Sequence, residues 1–382
     1  MPASHRSLPS LLTIAALSLA ISACTVGPDH VRPDLPVAQR FARDAGSGDA
    51  AMAPAADAAF WRAFGDARLD ALVEAALAAN HDLRIALAQY DRANALLRGA
   101  KFDALPTITA NADARDTRAS ADQMPGVGRD ARDVESYSIG ASVAWELDLF
   151  GRIRRNVEAG RAEAQASASD LAAAQVAIVG EVARTYFELR GLQERLRVAR
   201  ENADNQAETL RLVQARFDAG RDSEFDLSRA RAQQAATSSR IPALEAQTAT
   251  AMHRLAVLTG RTPDALIAEL SAPAPLPALP ARIDPGTPGD LLRRRPDVAA
   301  AEARLHAATA RIGVATADLF PRFTLGGLIG SQAIDTSALF ERGSETRLVA
   351  LGIDWSFLDI GRVRARIAAA DADAAGTLAA YE

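Results

Sequence analysis

Only a few residues of this chain have the type and spacing that a chemical site needs. Glu302 and His306 lie four residues apart in a helical pattern, a spacing that places two possible metal ligands on one helix face. No third ligand lies near them in the sequence, so we predict a surface pair without a bound metal. The sequence also has no P-loop, no GxSxG and no HExxH motif. We therefore predict a protein that is not an enzyme and has no cofactor.

Cys24 is the one residue for which we expect a covalent modification. A basic start, an apolar stretch over 11–21 and small residues before the cysteine are typical of a signal peptide, which we place at residues 1–23. The tetrapeptide Ile21-Ser22-Ala23-Cys24 resembles the bacterial lipobox, in which the cysteine becomes lipid-modified and N-terminal. Because Cys24 is the only cysteine, it has no disulfide partner. The alternative is an ordinary signal peptide with a chance cysteine.

Composition favours long helices and argues against a nucleic-acid partner. The chain is rich in alanine, has 5% aromatic residues and 24% charged residues, and carries a net charge of −5. Residues 24–59 are rich in Pro, Asp and Ala and show little periodicity, which predicts an extended, lipid-anchored tether. Thr25 in place of Asp after the cysteine, by the same lipobox resemblance, suggests sorting to the outer membrane.

The chain contains a long internal repeat. Asp82 to Pro106 and Asp297 to Pro321 have the same spacing with no gap, and an alternating stretch follows each proline. The first copy then continues from Trp145 to Arg152 and the second from Trp355 to Arg362. This pattern predicts a duplicated helix-strand-strand-helix unit. We place the first repeat at 60–270, a Pro/Ala-rich connector at 271–290 and the second repeat at 291–382.

Four segments alternate with a period of two and are predicted to be strands, at 106–115, 135–149, 322–331 and 346–358. One face is apolar and the other is small or polar, which favours a transmembrane β-barrel over a soluble sheet with one buried face. Four strands are too few to close a barrel and an open edge is not tolerated in lipid, so several chains must combine. The residues predicted to face the water-filled lumen are Thr107, Thr109, Asn111, Ser138, Ser142, Glu146 and Asp148.

The helical segments are predicted to project into water. Helices are expected over 60–104, 296–320 and 361–382, and the longest over 152–218, where a heptad pattern is typical of a coiled coil. A helix of that length spans on the order of 100 Å, which exceeds a bilayer core of about 30 Å. Gly220 is expected to end it, and a return helix over 223–259 should be kinked or divided by Pro242.

Several of these motifs carry a family resemblance. The sequence resembles the TolC-like outer-membrane factors of tripartite efflux systems, in particular their lipoprotein (NodT-like) branch. The matching motifs are Gly27-Pro28-Asp29 after Cys24, Phe60-Trp61-x-x-Phe64-x-Asp66-x-x-Leu69, Asn80-His81-Asp82-Leu83, Arg294-Arg295-Pro296-Asp297-Val298 and, most specifically, Trp145-Glu146-Leu147-Asp148-Leu149-Phe150-Gly151-Arg152.

The resemblance implies a mainly α fold with a membrane β-barrel part. Three copies of the chain would pool four strands each into one twelve-stranded barrel in the outer membrane, continued by a periplasmic α-barrel of long helical hairpins. The implied partners are a periplasmic adaptor and an inner-membrane transporter, and the implied function is a passive exit duct for drugs. By resemblance, the adaptor docks at the hairpin tip, on Arg216, Gly220, Ser223, Asp226 and Leu227.

Two points stay open at this stage. A type I secretion or metal-ion efflux channel would use nearly the same scaffold, and a lipid-anchored periplasmic coiled-coil scaffold is an alternative of a different class. Glu382 corresponds to Ala172 of the first repeat, so we expect the second repeat to lack the counterpart of the segment from there to Gly260.

Overall fold

The computed structural model of the protein describes residues 25–34, 36–42, 59–279 and 287–382. The signal peptide and Cys24 lie outside the described residues. The chain divides into two compact units. The sheet unit comprises Met1–Leu35, Tyr90–Ala168 and Val298–Glu382, and the helical unit comprises Pro36–Gln89 and Ser169–Asp297.

The sheet unit contains one four-stranded antiparallel sheet in the order β1-β2-β3-β4. Its strands are β1 (Thr107–Arg118), β2 (Asp133–Leu147), β3 (Arg322–Ala333) and β4 (Glu345–Asp354). The central pair, β2 with β3, is the pairing that joins the two repeats, with Gly140 opposite Gly330. The two strands approach closely at these glycines, since a Cβ on Gly140 would come within 2.8 Å of the Ile329 carbonyl oxygen and 3.2 Å of the Gly330 Cα.

Strands β2 and β4 both end earlier than the alternation predicted. Trp355 and Phe357 continue the apolar pattern in sequence, yet β4 ends at Asp354 and Phe357 begins a 3-10 turn. The indole of Trp355, just beyond the end of β4, donates a hydrogen bond to the Leu319 carbonyl oxygen (3.1 Å). The predicted strand end at residue 358 is therefore wrong, and so is the predicted end of β2 at residue 149.

The structure contains nine α-helices in the described residues. They are α1 (Ala67–Ala79), α2 (His81–Phe102), α3 (Arg152–Asp218), α4 (Glu224–Ser238), α5 (Ile241–Leu258), α6 (Ile267–Leu270), α7 (Pro288–Arg294), α8 (Pro296–Ala317) and α9 (Ile360–Tyr381). In the sheet unit, α8 buries a face made mostly of alanine, and these short side chains permit close approach of neighbouring backbone. None of the described helices is both long enough and apolar enough to cross a bilayer.

The helical unit has its own apolar core. Leu69 and Val73 of α1, Val182 and Leu189 of α3 and Leu255 of α5 are completely buried in one cluster. The start of α1 is capped by Asp66, which accepts hydrogen bonds from the backbone N–H groups of the first helical turn. Asp66 also accepts a hydrogen bond from the Tyr186 hydroxyl (2.8 Å) and so ties α1 to α3. The predicted heptad face of α3 thus supplies the core of this unit.

The helix caps follow the sequence signals. Asn80 accepts hydrogen bonds from the backbone of Asp82 (2.8 Å) and Leu83 (3.2 Å), as its predicted role as an N-cap requires. The return segment is divided into α4 and α5, and Pro242 occupies the first turn of α5, where its missing N–H group has no helical partner to lose. Helix α7 starts at Pro288, inside the segment that the sequence suggested to be a connector.

Candidate functional site

The sheet has one small, polar face. Because residues that pair across antiparallel strands point to the same side, the observed register assigns each residue to a face. Six of the seven residues predicted to line a lumen fall on one face, namely Thr107, Thr109, Asn111, Ser138, Ser142 and Glu146. Leu328 and Leu348, paired with each other on this same face, are exceptions that the first-repeat pattern did not reveal.

The opposite face of the sheet is apolar. It carries, in register, Ile108, Val143 and Val349 in one row and Trp145, Leu325 and Leu351 in another. Large apolar side chains on this face are exposed, among them Val349 and Leu351. Within the described residues no strand pairs with the outer edge of β1 or of β4. The sheet thus has an apolar surface and two unpaired edges. In lipid, the backbone N–H and C=O groups of each edge would need a further strand as a hydrogen-bond partner.

Asp148 lies just beyond β2 and serves the start of α3. Its carboxylate accepts hydrogen bonds from the backbone N–H groups of Ile153 (3.1 Å) and Arg154 (2.9 Å), two donors that a helix start leaves unpaired. Glu146, the last polar residue on the lumen-type face, forms a two-pronged ion pair with Arg152 at 2.8 and 2.7 Å. Both carboxylates therefore fix the turn from sheet to helix.

The turn between α3 and α4 is built by glycine geometry. Gly220 has φ +70°, its N–H donates to the Phe217 carbonyl oxygen (2.8 Å), and the N–H of Arg221 donates to the Arg216 carbonyl oxygen (2.9 Å). These two bonds form a Schellman motif, the helix end that the sequence predicted at Gly220. A Cβ added at Gly220 would meet no atom within 4 Å. The tip of this hairpin is therefore open around its glycine.

The other predicted docking residues divide into surface and interior. Ser223 and Asp226 form a capping box at the start of α4, and the hydrogen bond from the Ser223 hydroxyl holds the pKa of Asp226 below its ordinary value. Arg216 pairs with Asp222 across the turn (3.0 Å). Leu227 is only 3% exposed, so it packs inside the hairpin, whereas Phe225 is 73% exposed and was missed.

Glu302 and His306, which the sequence predicted to pair with each other, have different partners in the structure. Glu302 forms an ion pair with Arg32 (3.2 Å), while His306 contacts the Glu158 carboxylate (2.9 Å) and stacks on His30. The predicted Glu302–His306 pair is therefore wrong, because residues from the N-terminal segment and α3 lie closer to each. Among the described residues no cluster of three or more His, Cys, Asp or Glu side chains is arranged to hold a metal ion.

A mainly helical chain with a long helical hairpin and a four-stranded antiparallel sheet of one apolar face has the architecture of an outer-membrane channel subunit. Among solved structures, the outer-membrane channel OprN aligns with a TM-score of 0.86 at 41% identity, covering 94% of this chain and 79% of that one. Outer membrane protein OprJ of Pseudomonas aeruginosa is 34% identical over 96% of this chain and 76% of its own length. Nodulation protein T of Rhizobium leguminosarum bv. trifolii is 31% identical over 95% and 76%.

The family model of the outer membrane efflux proteins matches residues 72–261 and 287–382, the two repeats and little else. The chain belongs to the outer membrane efflux protein family. It is a component of an efflux channel of the outer membrane that extends into the periplasm.

Proposed function

We propose that this protein is the exit duct of a tripartite, RND-type multidrug efflux pump, through which drugs and other small molecules leave passively across the periplasm and outer membrane. The observation that carries the proposal is the sheet, which has a small, polar face for a wet lumen and an apolar face for lipid. Family membership gives this face pattern its context. Cargo selection is left to the transporter that feeds the duct.

The assembly proposed is a homotrimer. Since each strand is antiparallel to the next, β1 and β4 are antiparallel to each other, so β4 of one copy can pair with β1 of the following copy. Such head-to-tail contacts close into a ring, and three copies give twelve strands without an open edge. The two repeats of each chain would then supply adjacent parts of one barrel.

The partners proposed are a periplasmic adaptor, an inner-membrane transporter and outer-membrane lipid, with no role for nucleic acid. Lipidation of Cys24, with an acyl chain such as palmitate, would anchor the chain beside the barrel. The adaptor would dock at the hairpin tip, where Gly220, Arg216, Ser223 and Asp226 are accessible and Phe225 offers an apolar contact. Leu227 would support this surface from inside.

Docking at the tip is tested with Gly220→Trp. A Cβ at Gly220 meets no atom within 4 Å, and the backbone penalty of the substitution is that of a positive φ, about 1 kcal/mol. We expect drug resistance to be lost while trimers still assemble. Gly65→Trp is the matched control, since Gly65 has φ +62° and equally open space away from the tip. Wild-type resistance in Gly220→Trp at normal expression would contradict docking at this turn.

The duct itself is tested by co-expression with a cognate adaptor and transporter in an efflux-deficient host. We expect resistance to depend on all three proteins, and the purified chain to form heat-modifiable trimers that conduct ions in planar bilayers. A chain that reaches the outer membrane as trimers but confers neither resistance nor conductance would overturn the proposed function.

A further inference from the structure

We propose that residues 25–32 form an N-terminal latch that fastens the first repeat to the second, with Arg155 as the positioning residue that holds it. The sequence suggested a free, extended tether here. The structure places this segment against the start of α3, which follows β2, and against α8, which precedes β3. Because β2 and β3 are the strands through which the repeats pair, the latch joins the two helices that continue from that seam.

Arg155 is the centre of the latch. Its side chain is 4% exposed, and its guanidinium has four hydrogen-bond acceptors. It donates to the carbonyl oxygens of Val26 (3.1 Å) and Gly27 (3.3 Å) and to the carboxylate of Asp29 (2.7 Å), and it pairs with Glu158 of its own helix (2.8 Å). Three of these four acceptors belong to the latch. Opening the latch would therefore break three of the four hydrogen bonds of this guanidinium.

Two glycines allow the latch to pack closely against α3 and α8, in addition to the polar contacts of Arg155. A Cβ on Gly27, which has φ +91°, would collide with the Cα of Gly313 in α8, so only glycine fits on the latch at this point. A Cβ on Gly313 would in turn come within 2.9 Å of the Arg155 side chain. The latch, α3 and α8 therefore meet where neither glycine can carry a side chain without displacing a neighbour.

Further contacts extend the latch along both helices. At its start, the N–H of Val26 donates to the Phe150 carbonyl oxygen (3.2 Å), and Thr25 packs on Gly151. At its end, His30 stacks on His306 of α8 with ring centroids 4.5 Å apart, and Arg32 pairs with Glu302 of the same helix (3.2 Å). The latch therefore contacts the first repeat at its start and the second repeat at its end. This role goes beyond the proposed duct, since it requires neither lipidation nor transport.

The experiment is hydrogen–deuterium exchange of the purified full-length chain in detergent, read on the peptide that covers residues 25–34. We expect Arg155→Ala, Gly27→Ala and Gly313→Ala to raise its exchange rate about tenfold or more. Arg155→Ala removes the hydrogen bonds that hold the latch, and each glycine variant adds a Cβ that collides with a neighbour. Arg155→Lys keeps the charge without the fork of donors, so it should restore protection only in part. Exchange in α8 should rise together with that of the latch.

Two matched controls separate latch opening from general damage. Gly65→Ala carries the same positive-φ strain as Gly27→Ala but meets no atom within 4 Å, and Gly180→Ala places the same methyl group in a helix as Gly313→Ala, again in open space. Both should leave the exchange of residues 25–34 at the wild-type rate. Asp29→Asn is the mild variant, since Asp29 is exposed, and it should raise exchange without threatening the fold.

The latch is overturned if the exchange of residues 25–34 in Asp29→Asn and Arg155→Lys stays within twofold of wild type, or if the controls raise it equally. Because exchange is measured on protein that need not conduct, these results are independent of the resistance assay. Wild-type protein without duct activity but with a protected latch would refute the duct and leave the latch standing.

Discussion

The two turns from sheet to helix, one in each repeat, share a framework and differ in their charges. In the first, Trp145 donates to the Ala104 carbonyl oxygen (3.0 Å), and in the second, Trp355 donates to the Leu319 carbonyl oxygen (3.1 Å). Ala104 and Leu319 occupy the same place in their repeats. The tryptophan bond that closes each strand onto the preceding helix end is therefore a property of the duplicated unit.

The residues around each tryptophan are not equivalent. Glu146 and Asp148 of the first turn correspond to Ser356 and Leu358 of the second, and Leu358 is 87% exposed. Arg155, which holds the latch, corresponds to Ala365. Duplication thus preserved the tryptophan hydrogen bond at the turn. The second helix start has an ion pair between Arg362 and Asp359 (2.8 Å) but no side-chain cap, whereas the first has the Asp148 cap and the arginine that binds residues 26–29.

The largest expected effect compares the two tryptophans. Trp145→Ala should lower the stability of the detergent-solubilised protein by about 3 kcal/mol, because a half-buried indole and its hydrogen bond are both lost. Trp355→Ala should cost about 1 kcal/mol less than that, since Trp355 is 53% exposed. Denaturant unfolding of both variants measures the difference, and a larger effect at Trp355 would show that the second turn is the tighter one.

The helix starts should differ next. Asp148→Ala removes a cap for two backbone donors of α3 and should cost about 1–2 kcal/mol. Leu358→Ala, at the corresponding place, should change stability by less than about 0.5 kcal/mol, because it is an exposed substitution. Equal losses in thermal unfolding would mean that Asp148 does not distinguish the two turns.

A pH dependence should follow from the latch, which only the first turn holds. Burial, followed by the nearby His306, lowers the pKa of His30 below its ordinary value of 6.5, whereas the carboxylates of Glu302 and Glu158 oppose this. Partial burial alone would raise the pKa of Glu158, yet hydrogen bonds from His306 and Arg155 hold it below its ordinary value. The charged residues that flank His30 in the latch, Asp29 and Arg32, pair with Arg155 and Glu302.

Both shifts have the same sign, since each favours the form present at high pH. The stabilisation from His30 is complete above pH 6.5 and is lost as the pH falls through the lowered pKa of this side chain. The stabilisation from Glu158 is lost at still lower pH. The protection factor of residues 25–34, which is the exchange rate corrected for the intrinsic pH dependence of amide exchange, should therefore be largest near neutrality and fall on acidification. His30→Gln should flatten this profile between pH 7 and 5.5, and His253→Gln, in the helical unit, should not; matching profiles would refute the assignment.

The smallest effect is expected at the ion pair of the first turn. Glu146→Gln weakens a two-pronged contact with Arg152 that is partly exposed, so we expect a loss of about 1 kcal/mol or less, which shrinks further in high salt. Ser356→Ala at the corresponding place should be neutral. Identical salt dependence of the two variants in thermal unfolding would exclude a contribution from the pair.

Much of the fold was predictable because its patterns are periodic. Helix α3 has the predicted bounds, since a heptad face from Leu171 to Phe217 leaves no other way to bury its apolar residues. The lumen-type face followed from alternation, which fixes the side of every residue once the register is set. The end of α3 at Gly220 was predictable because a positive φ there favours glycine.

The strand ends and the latch were not predicted because no periodic sequence pattern marks them. The strand ends were missed because the apolar alternation continues in sequence past Leu147 and Asp354, whereas the chain leaves the sheet at these residues. The latch was missed because Asp29 and Arg155 are 126 residues apart, and nothing local links a Gly-Pro-Asp segment to an arginine in the first turn of a distant helix. The one available signal was that arginine itself, placed two residues after buried Ile153.

The outer edges of β1 and β4 also expose the unassembled chain to aggregation and proteolysis. If the chain assembles as the proposed trimer, then before assembly both edges, which no described strand covers, present rows of backbone N–H and C=O groups to water beside an exposed apolar face. Such a surface invites aggregation and proteolysis, and these losses compete with assembly. Because meeting a second copy depends on chain concentration whereas degradation of a single chain does not, halving synthesis should reduce the amount of mature channel by more than half.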